Sequence, residues 1–309
     1  MQDGALIPSD PTRRRLMLAA AAASLLPGAT IAAAGAPEMR RVPSSGATVP
    51  VVGLGTWITF NVGRDPELLE RSTGVVEAFL AEGGGMIDSS PMYGSAQDTV
   101  GHALDRLGRP AGVFPADKVW TGAGDASAQV ATSARRWGVE RFELLQVHNL
   151  IDAEANLDLL FDMKAAGRLG HVGITTSHGR RHGDLARLME RHPLDFVQLT
   201  YNVLDREAER RLLPLAAERG IAVIVNRPFR RGGLIERTAG VPLPGYAAEL
   251  GAESWADLML KFILADDRIT TVIPATTRAV HVRENKRAAR TPLPDRALRE
   301  RIARDVRDL

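Results

Sequence analysis

Cysteine is absent from the 309 residues, which removes disulfides, thiolate metal sites and a cysteine nucleophile together. Aromatic residues supply only 5% of the chain. No basic patch is interleaved with them, so a nucleic-acid partner is not expected. Neither sign of charge is in surplus: 39 Lys and Arg stand against 37 Asp and Glu, a net of +2. Long apolar runs are also missing, because the Ala-rich stretch ending near Ala34 is weakly hydrophobic and is interrupted by Pro27 and Gly28, which argues against a membrane anchor. What remains, 45% hydrophobic and 25% charged, is the composition of a soluble globular protein. Its length allows one large α/β domain or two small ones.

The first residues read as an address. Thr12-Arg13-Arg14-Arg15-Leu16-Met17-Leu18 precedes the Ala-rich stretch, and Ala32-Ala33-Ala34 offers a cleavage site before Gly35. A basic start, an apolar middle and small residues at the end make a secretory signal. The paired arginines resemble the twin-arginine class. The expected division is therefore a signal peptide over 1–34 and a catalytic domain over 35–309. The expected partner is the twin-arginine export machinery, and the expected location is the periplasm or beyond, with no stable membrane insertion after signal cleavage.

From Val51 to about Arg290, short apolar runs alternate with amphipathic stretches. The spacing predicts strands at Val51–Gly55, Gly85–Asp88, Lys118–Thr121, Leu144–His148, His171–Thr175, Phe196–Leu199, Ala222–Val225 and Thr271–Ile273. It predicts helices at Pro66–Ala81, Asp125–Trp137, Ala153–Ala166, Asp184–Arg191, Glu207–Arg219 and Glu253–Ala265. Eight such units fit a (β/α)₈ (TIM) barrel of about 250 residues. A doubly wound sheet would want a three-glycine fingerprint opening a helix, and Val52-Gly53-Leu54-Gly55-Thr56-Trp57 has two glycines and no helix behind them. Met39–Val42 and Thr48–Val51 flank Pro43-Ser44-Ser45-Gly46 as a hairpin that could cap the barrel floor. Arg227–Leu250 reads as a long irregular loop at the active face, and the chain after Pro294 as a charged, solvated helix.

Polar residues at the C-terminal strand ends of such a barrel converge on one face. Asp88, Lys118 and His148 lie at or beside three successive strand ends, and Tyr93 follows Asp88 in its loop. Each alone has a plain structural reading, as a cap, a solvated amine or a packed ring. Together they form a division of labour. A phenol is a weak acid, with an ordinary pKa of about 10; a nearby ammonium lowers it and a carboxylate holds the ammonium in place. Tyr93 is then the general acid, Lys118 its tuner and Asp88 the anchor, while His148 orients a carbonyl oxygen or shares the proton relay.

The segments Asp88-Ser-Ser-Pro-Met-Tyr93-Gly-Ser, Asp117-Lys118-Val-Trp-Thr and Gln146-Val-His148-Asn-Leu resemble those of the aldo-keto reductases. So do Gln198-Leu-Thr-Tyr201-Asn202 and the run from Ile273 to Asn285. The resemblance covers about residues 39–290. It implies NADPH-dependent reduction of aldehydes or ketones without a metal, with NADH as a possible substitute. By the same resemblance Gln198 holds the nicotinamide carboxamide. Thr276, Arg278 and His281 face the adenosine phosphate, with Glu284 and Asn285 on the adenine. Thr175-Thr176 replaces the usual Ser-Asn, and Asn226 stands where an aromatic ring often stacks on nicotinamide. Pro228 and Phe229 follow it in the cofactor loop.

Trp57 reads as a wall of the substrate pocket or as core packing. His178-Gly-Arg-Arg-His182 has the spacing of two ligands on one helix turn but no third ligand nearby. Two further functions fit the same chain: an NADP(H)-binding redox-sensing module with little turnover, and a Schiff-base lyase built on Lys118.

Overall fold

A computed structural model describes residues 38–309; the signal segment read over 1–34 lies outside the described residues. Two strands, β1 (Met39–Arg41) and β2 (Thr48–Pro50), pair antiparallel around the expected Pro43–Gly46 turn. Eight parallel strands follow: β3 (Leu54–Gly55), β4 (Gly85–Asp88), β5 (Val113–Val119), β6 (Phe142–His148), β7 (Leu169–Thr175), β8 (Phe196–Thr200), β9 (Ala222–Asn226) and β10 (Thr271–Val272). Each pairs with the next in chain order. Bridges from Val52 to Val272 and from Gly55 to Ala275 join the last strand to the first. The expected (β/α)₈ barrel with its hairpin is the fold observed.

The two glycines of Val-Gly-Leu-Gly serve this closure. A Cβ on Gly55 would stand 2.7 Å from the Ile273 carbonyl oxygen, and one on Gly53 2.7 Å from that of Met86. Only a bare Cα lets β3 approach the closing strand at Gly55 and β4 at Gly53 so closely.

Strand periodicity decides what faces the barrel interior. Met86, Ala116, Leu144, Phe196, Ala222, Ile224 and Ile273 point inward and form a small inner core that Val42 and Val49 of the hairpin region close from below. Two residues further along the same strands lie Asp88, Lys118, Gln146 and Gln198. The inward row thus changes from apolar at the floor to polar at the rim. The alternate residues, such as Ile87, Val119, Val147, Ile174, Val197 and Val225, belong to the larger outer core under the helices. Burial of this apolar area, at roughly 25 cal/mol per Å², is what holds the polar rim in register.

The helices are α1 (Pro66–Ala81), α2 (Ala96–Arg106), α3 (Ala123–Trp137), α4 (Ala153–Ala165), α5 (His182–Arg191), α6 (Leu212–Arg219), α7 (Gly233–Arg237), α8 (Trp255–Leu264), α9 (Ala279–Ala288) and α10 (Arg296–Asp308). Helix α1 matches its expected bounds, with Asp65 capping the amides of Glu67 and Leu68. Four expectations are corrected. Strand β5 starts five residues earlier than Lys118, so Lys118 lies near its end and not at its start. The expected helix over Glu207–Arg219 is a short 3-10 turn, Glu207–Arg210, followed by α6. The loop Arg227–Leu250 contains α7 and two 3-10 turns. His178 has φ of +81° and precedes α5, which begins at His182, so the two histidines share no helix face. Among the described residues no helix is long and apolar enough to cross a membrane.

Candidate active site

The inward polar row meets at Asp88. Its Oδ2 accepts from Lys118 Nζ at 2.5 Å, and its Oδ1 accepts from Gln146 Nε2 at 3.0 Å and Gln198 Nε2 at 2.9 Å. Lys118 Nζ also donates to the Ser89 carbonyl at 2.6 Å, and its side chain is fully buried. Strand parity explains the grouping: Lys118 sits beside Gln146 in the ladder, and Thr175 beside His148 and Gln198. Charge-assisted bonds to a buried carboxylate are the strong class, so this cluster is fixed before any ligand arrives.

Tyr93 reaches the cluster through a turn. Its N–H donates to the Ser90 carbonyl at 3.0 Å, with Pro91 at the second position, where a fixed φ favours the bend. The ring then lies 4.9 Å from Lys118 Nζ and packs edge-on to His148, centroids 5.7 Å apart. All four residues singled out in the sequence are therefore brought together.

The protonation states follow from burial. Desolvation pushes the Tyr93 phenol above its ordinary pKa; the opposing pull of Lys118 is second, and Asp88 partly cancels it. This corrects the expectation that the ammonium sets a lowered value: burial is the largest effect, and Asp88 offsets part of the ammonium's pull. Burial alone would lower the Lys118 ammonium, but Asp88 and then Tyr93 raise it, leaving it charged. His148 is held down to about 3 by burial and then by Lys118. It is neutral, with Nδ1 2.8 Å from Ser90 Oγ. Ser90 Oγ also accepts the Met92 N–H at 3.2 Å and has one proton to give; in the tautomer in which that proton goes to Nδ1, Nε2 carries the hydrogen. The arrangement offers two neutral donors, a phenol and an imidazole N–H, side by side over a buried ion pair.

The expected cofactor residues fall into two groups. At the rim, Thr175 Oγ1 donates to Gln198 Oε1 at 3.1 Å, and Asn226 Nδ2 donates to the same oxygen at 3.2 Å and to the Thr176 carbonyl at 3.1 Å. The Gln198 side chain is thereby occupied on both ends within the protein. Pro228 is buried and Phe229 packs against the outer core. The second group surrounds the start of α9. Arg278 is its N-cap residue, with no side-chain cap bond. Thr276 Oγ1 accepts the Arg278 N–H and lies 3.1 Å from His281 Nδ1. Exposed Arg278, half-buried Glu284 and buried Asn285 share this end. Free amides at a helix start with a cation beside them suit a phosphate.

Two residues with a place in the site were not singled out in the sequence. Gln146 binds Asp88 directly, and the signal for it was parity, since it lies two residues before His148 on one strand. Asn202 is fully buried and donates to the Arg227 carbonyl at 3.1 Å. Trp57, half-buried, follows Thr56, whose hydroxyl donates to the Asp88 carbonyl at 2.9 Å. Among the described residues no group of three or more His, Asp or Glu could hold a metal ion.

Comparison with known proteins gives the family and the fold. A family model described as the aldo/keto reductase family matches residues 51–301. Aldo-keto reductase YhdN of Bacillus subtilis is 26% identical over 63% of this chain, a match spanning 63% of that relative's own length. The NADH-specific methylglyoxal reductase of Escherichia coli is 24% identical over 83% of this chain and 95% of its own. Among solved structures, an aldo/keto reductase from Klebsiella pneumoniae in complex with NADP and acetate superposes with a TM-score of 0.72 at 20% identity, covering 86% of this chain and 94% of that one. The holo form of AKR11C1 from Bacillus halodurans gives a TM-score of 0.71 at 22% identity, over 87% and 96%.

Proposed function

Because the chain belongs to the aldo/keto reductase family, and with it to the oxidoreductases, we propose that it reduces the carbonyl of a small aldehyde or ketone using NADPH. The observation that carries this reading is the pair of neutral donors, Tyr93 and His148, set over the buried Lys118–Asp88 ion pair. When bound, the cofactor supplies the hydride that adds to the carbonyl carbon. His148 Nε2–H orients the carbonyl oxygen, and Tyr93 Oη–H gives it the proton. The phenolate left behind is stabilised by the Lys118 ammonium, which Asp88 keeps charged, and solvent restores the proton. A neutral His148 favours the orienting role over the proton relay, since an imidazole held down to about 3 does not accept a proton near neutral pH.

Arg278 and His281 at the start of α9 would receive the 2′-phosphate, which favours NADPH over NADH, with Glu284 and Asn285 beside the adenine. Asn226 and Thr176 would line the nicotinamide end. The paired Arg13-Arg14 adds export by the twin-arginine route to the reading, a route that suits a protein folded around its cofactor.

The test is NADPH oxidation with a panel of aldehydes and ketones, alongside fluorescence titration with NADPH. Tyr93→Phe is expected to lower kcat by about 10²–10⁴-fold, the worth of a positioned general acid, while NADPH still binds. Turnover that survives this substitution would remove Tyr93 from the mechanism. NADPH binding without turnover in the unaltered protein would favour a redox-sensing module.

A further inference from the structure

Asp117 and Lys118 are neighbours on β5 and face opposite ways, Lys118 into the barrel and Asp117 under α2 and α3. Both are buried. The backbone explains the first bond of the Asp117 carboxyl. Strand β4 ends at Asp88, and the next carbonyl, that of Ser89, accepts Lys118 Nζ. The Lys118 N–H therefore leaves the ladder and donates to Asp117 Oδ1 at 2.8 Å. From α2, Gln97 Nε2 donates to Oδ2 at 2.6 Å. An asparagine or a threonine would accept the same Lys118 N–H without placing a charge in the core, where an unpaired charge is costly. A carboxyl at this position points to a use for its charge.

The two carboxyls near Lys118 are compensated differently. Asp88 has the ammonium and two amides, whereas Asp117 has two neutral N–H donors. Around it lie the apolar Leu145, its ladder partner on β6, and Ser133 of α3, which accepts from Gln97 at 2.8 Å. The nearest cations are already engaged. Lys118 is paired with Asp88. Arg136 of α3 donates to Gln97 Oε1 at 3.3 Å and lies 3.8 Å from Asp98 at the surface of α2. A buried carboxyl in such surroundings holds a proton well above the usual carboxylate range. Burial, against the pull of Lys118, pushes Asp117 up to about 7. His148 is held down to about 3, and Tyr93 and Lys118 lie above their ordinary values, so none of these three changes charge near neutral pH. Asp117 does, one residue from the ammonium that stabilises a phenolate. Its negative charge is also among those that push the Tyr93 phenol up, after burial and Asp88.

We propose that Asp117 is a positioning residue of the proton-transfer centre that acts through its charge: neutral, it leaves Tyr93 the better proton donor, and ionised, it slows proton transfer to the carbonyl oxygen. This rests on the reductase reading and adds pH control to the same site. The test uses the full protein, NADPH and three neutral carbonyl compounds, butanal, benzaldehyde and cyclohexanone, which bring no titration of their own. Single-turnover NADPH oxidation is followed at pH 6 and pH 8 in the unaltered protein and in Asp117→Asn, which copies the neutral carboxyl. The ratio of variant to native rate is expected to be about 1 at pH 6 and to rise by about two- to threefold at pH 8. Titration of the cofactor phosphate is common to both proteins and cancels in the ratio. A carboxyl that only holds the Lys118 N–H would give the same ratio at both pH values. That result overturns the proposal, as does a ratio that falls with pH. If none of the three compounds is turned over, the reductase reading loses its support on its own, and the tuning is read without turnover. In protein carrying 3-fluorotyrosine, the fluorine resonance lost in Tyr93→Phe reports the titration of this phenol. Its midpoint should lie lower in Asp117→Asn, by about 0.5–1 in pH. A lower midpoint retains the role of Asp117, and an equal one removes it.

Discussion

Replacing Asp88 by asparagine keeps the shape of the site and removes its central negative charge. In the native protein Lys118 Nζ has two acceptors, Asp88 Oδ2 at 2.5 Å and the Ser89 carbonyl at 2.6 Å, inside a fully buried side chain. The amide would leave the ammonium with neutral acceptors only. It would also turn an N–H against either Lys118 or the Gln146 and Gln198 amides, which both donate to Asp88 Oδ1. Breaking a buried pair in this way costs about 3–5 kcal/mol. At roughly 2 °C per kcal/mol for a chain of this size, the melting temperature should fall by about 6–10 °C. The variant can escape by releasing the Lys118 proton, which lowers the folded-state pKa below the ordinary value of about 10.4. Between those two values the unfolded chain binds more protons, so stability of Asp88→Asn must rise with pH. The native protein behaves oppositely: Lys118 is raised in the fold, so its contribution is fully present below the ordinary value and is lost only above it. Urea denaturation near pH 6 and pH 9.5 separates the two. The variant should be the weaker by the full amount at the lower pH, with the gap narrowing at the higher. Asp88→Asn combined with Lys118→Met should recover part of the loss. An equal deficit at both pH values, or losses that simply add in the double variant, would refute a buried charged pair.

Ser90→Ala removes the hydroxyl partner of His148 Nδ1 and frees the ring to change tautomer. It should lower kcat by about fivefold with little change in KM, in line with the worth of about 1 kcal/mol for a hydrogen bond, and Ser90→Thr should restore most of it. Steady-state kinetics decides this, and an unchanged kcat would mean that the tautomer is set elsewhere. Asp117, on the outer face of β5, is pushed up to about 7, chiefly by burial. The folded protein thus keeps a proton that the unfolded chain sheds, and stability drains away between about pH 4 and pH 7. Asp117→Asn should abolish that component, so the variant gains relative to the native protein as pH rises from 4.5 to 8. Denaturation curves with a constant difference across that range would contradict it.

Much of this architecture was written in local patterns. Helix α1 ends and strand β4 begins where their patterns do, because Gly83–Gly85 punctuates the step between them. The four central residues stood out since strand ends of a barrel share one rim. Helix α2 was missed for a physical reason. Gly101 inside it is a poor helix former, and the reason for it is tertiary: a Cβ there would stand 1.9 Å from the Arg136 carbonyl oxygen, so the glycine permits a close crossing with α3. The direction of the Tyr93 pKa was equally illegible, since it depends on how far burial outweighs a neighbouring ion pair. Asp117 and Lys118 are adjacent in sequence and lie on opposite faces of one strand. Only the fold separates a carboxyl buried among Gln97 and Ser133 side chains from an ammonium in the barrel.

The seam between β10 and β3 gives the site an order of assembly. Asp88, Lys118, Gln146, His148 and Gln198 lie on β4 through β8, five neighbouring strands that pair in chain order. They can come together while the ring is still an open, curved sheet. Trp57 and Arg227 belong to opposite flanks of the seam, and Gly55 meets Ala275 only after nearly the whole intervening chain is in place. Closing a loop of that length is entropically demanding. The ladder therefore lets the proton-transfer cluster form before the ring closes, whereas Trp57 and Arg227 meet only on closure. A chain stalled before closure would hold that cluster without the Trp57–Arg227 contact beside it.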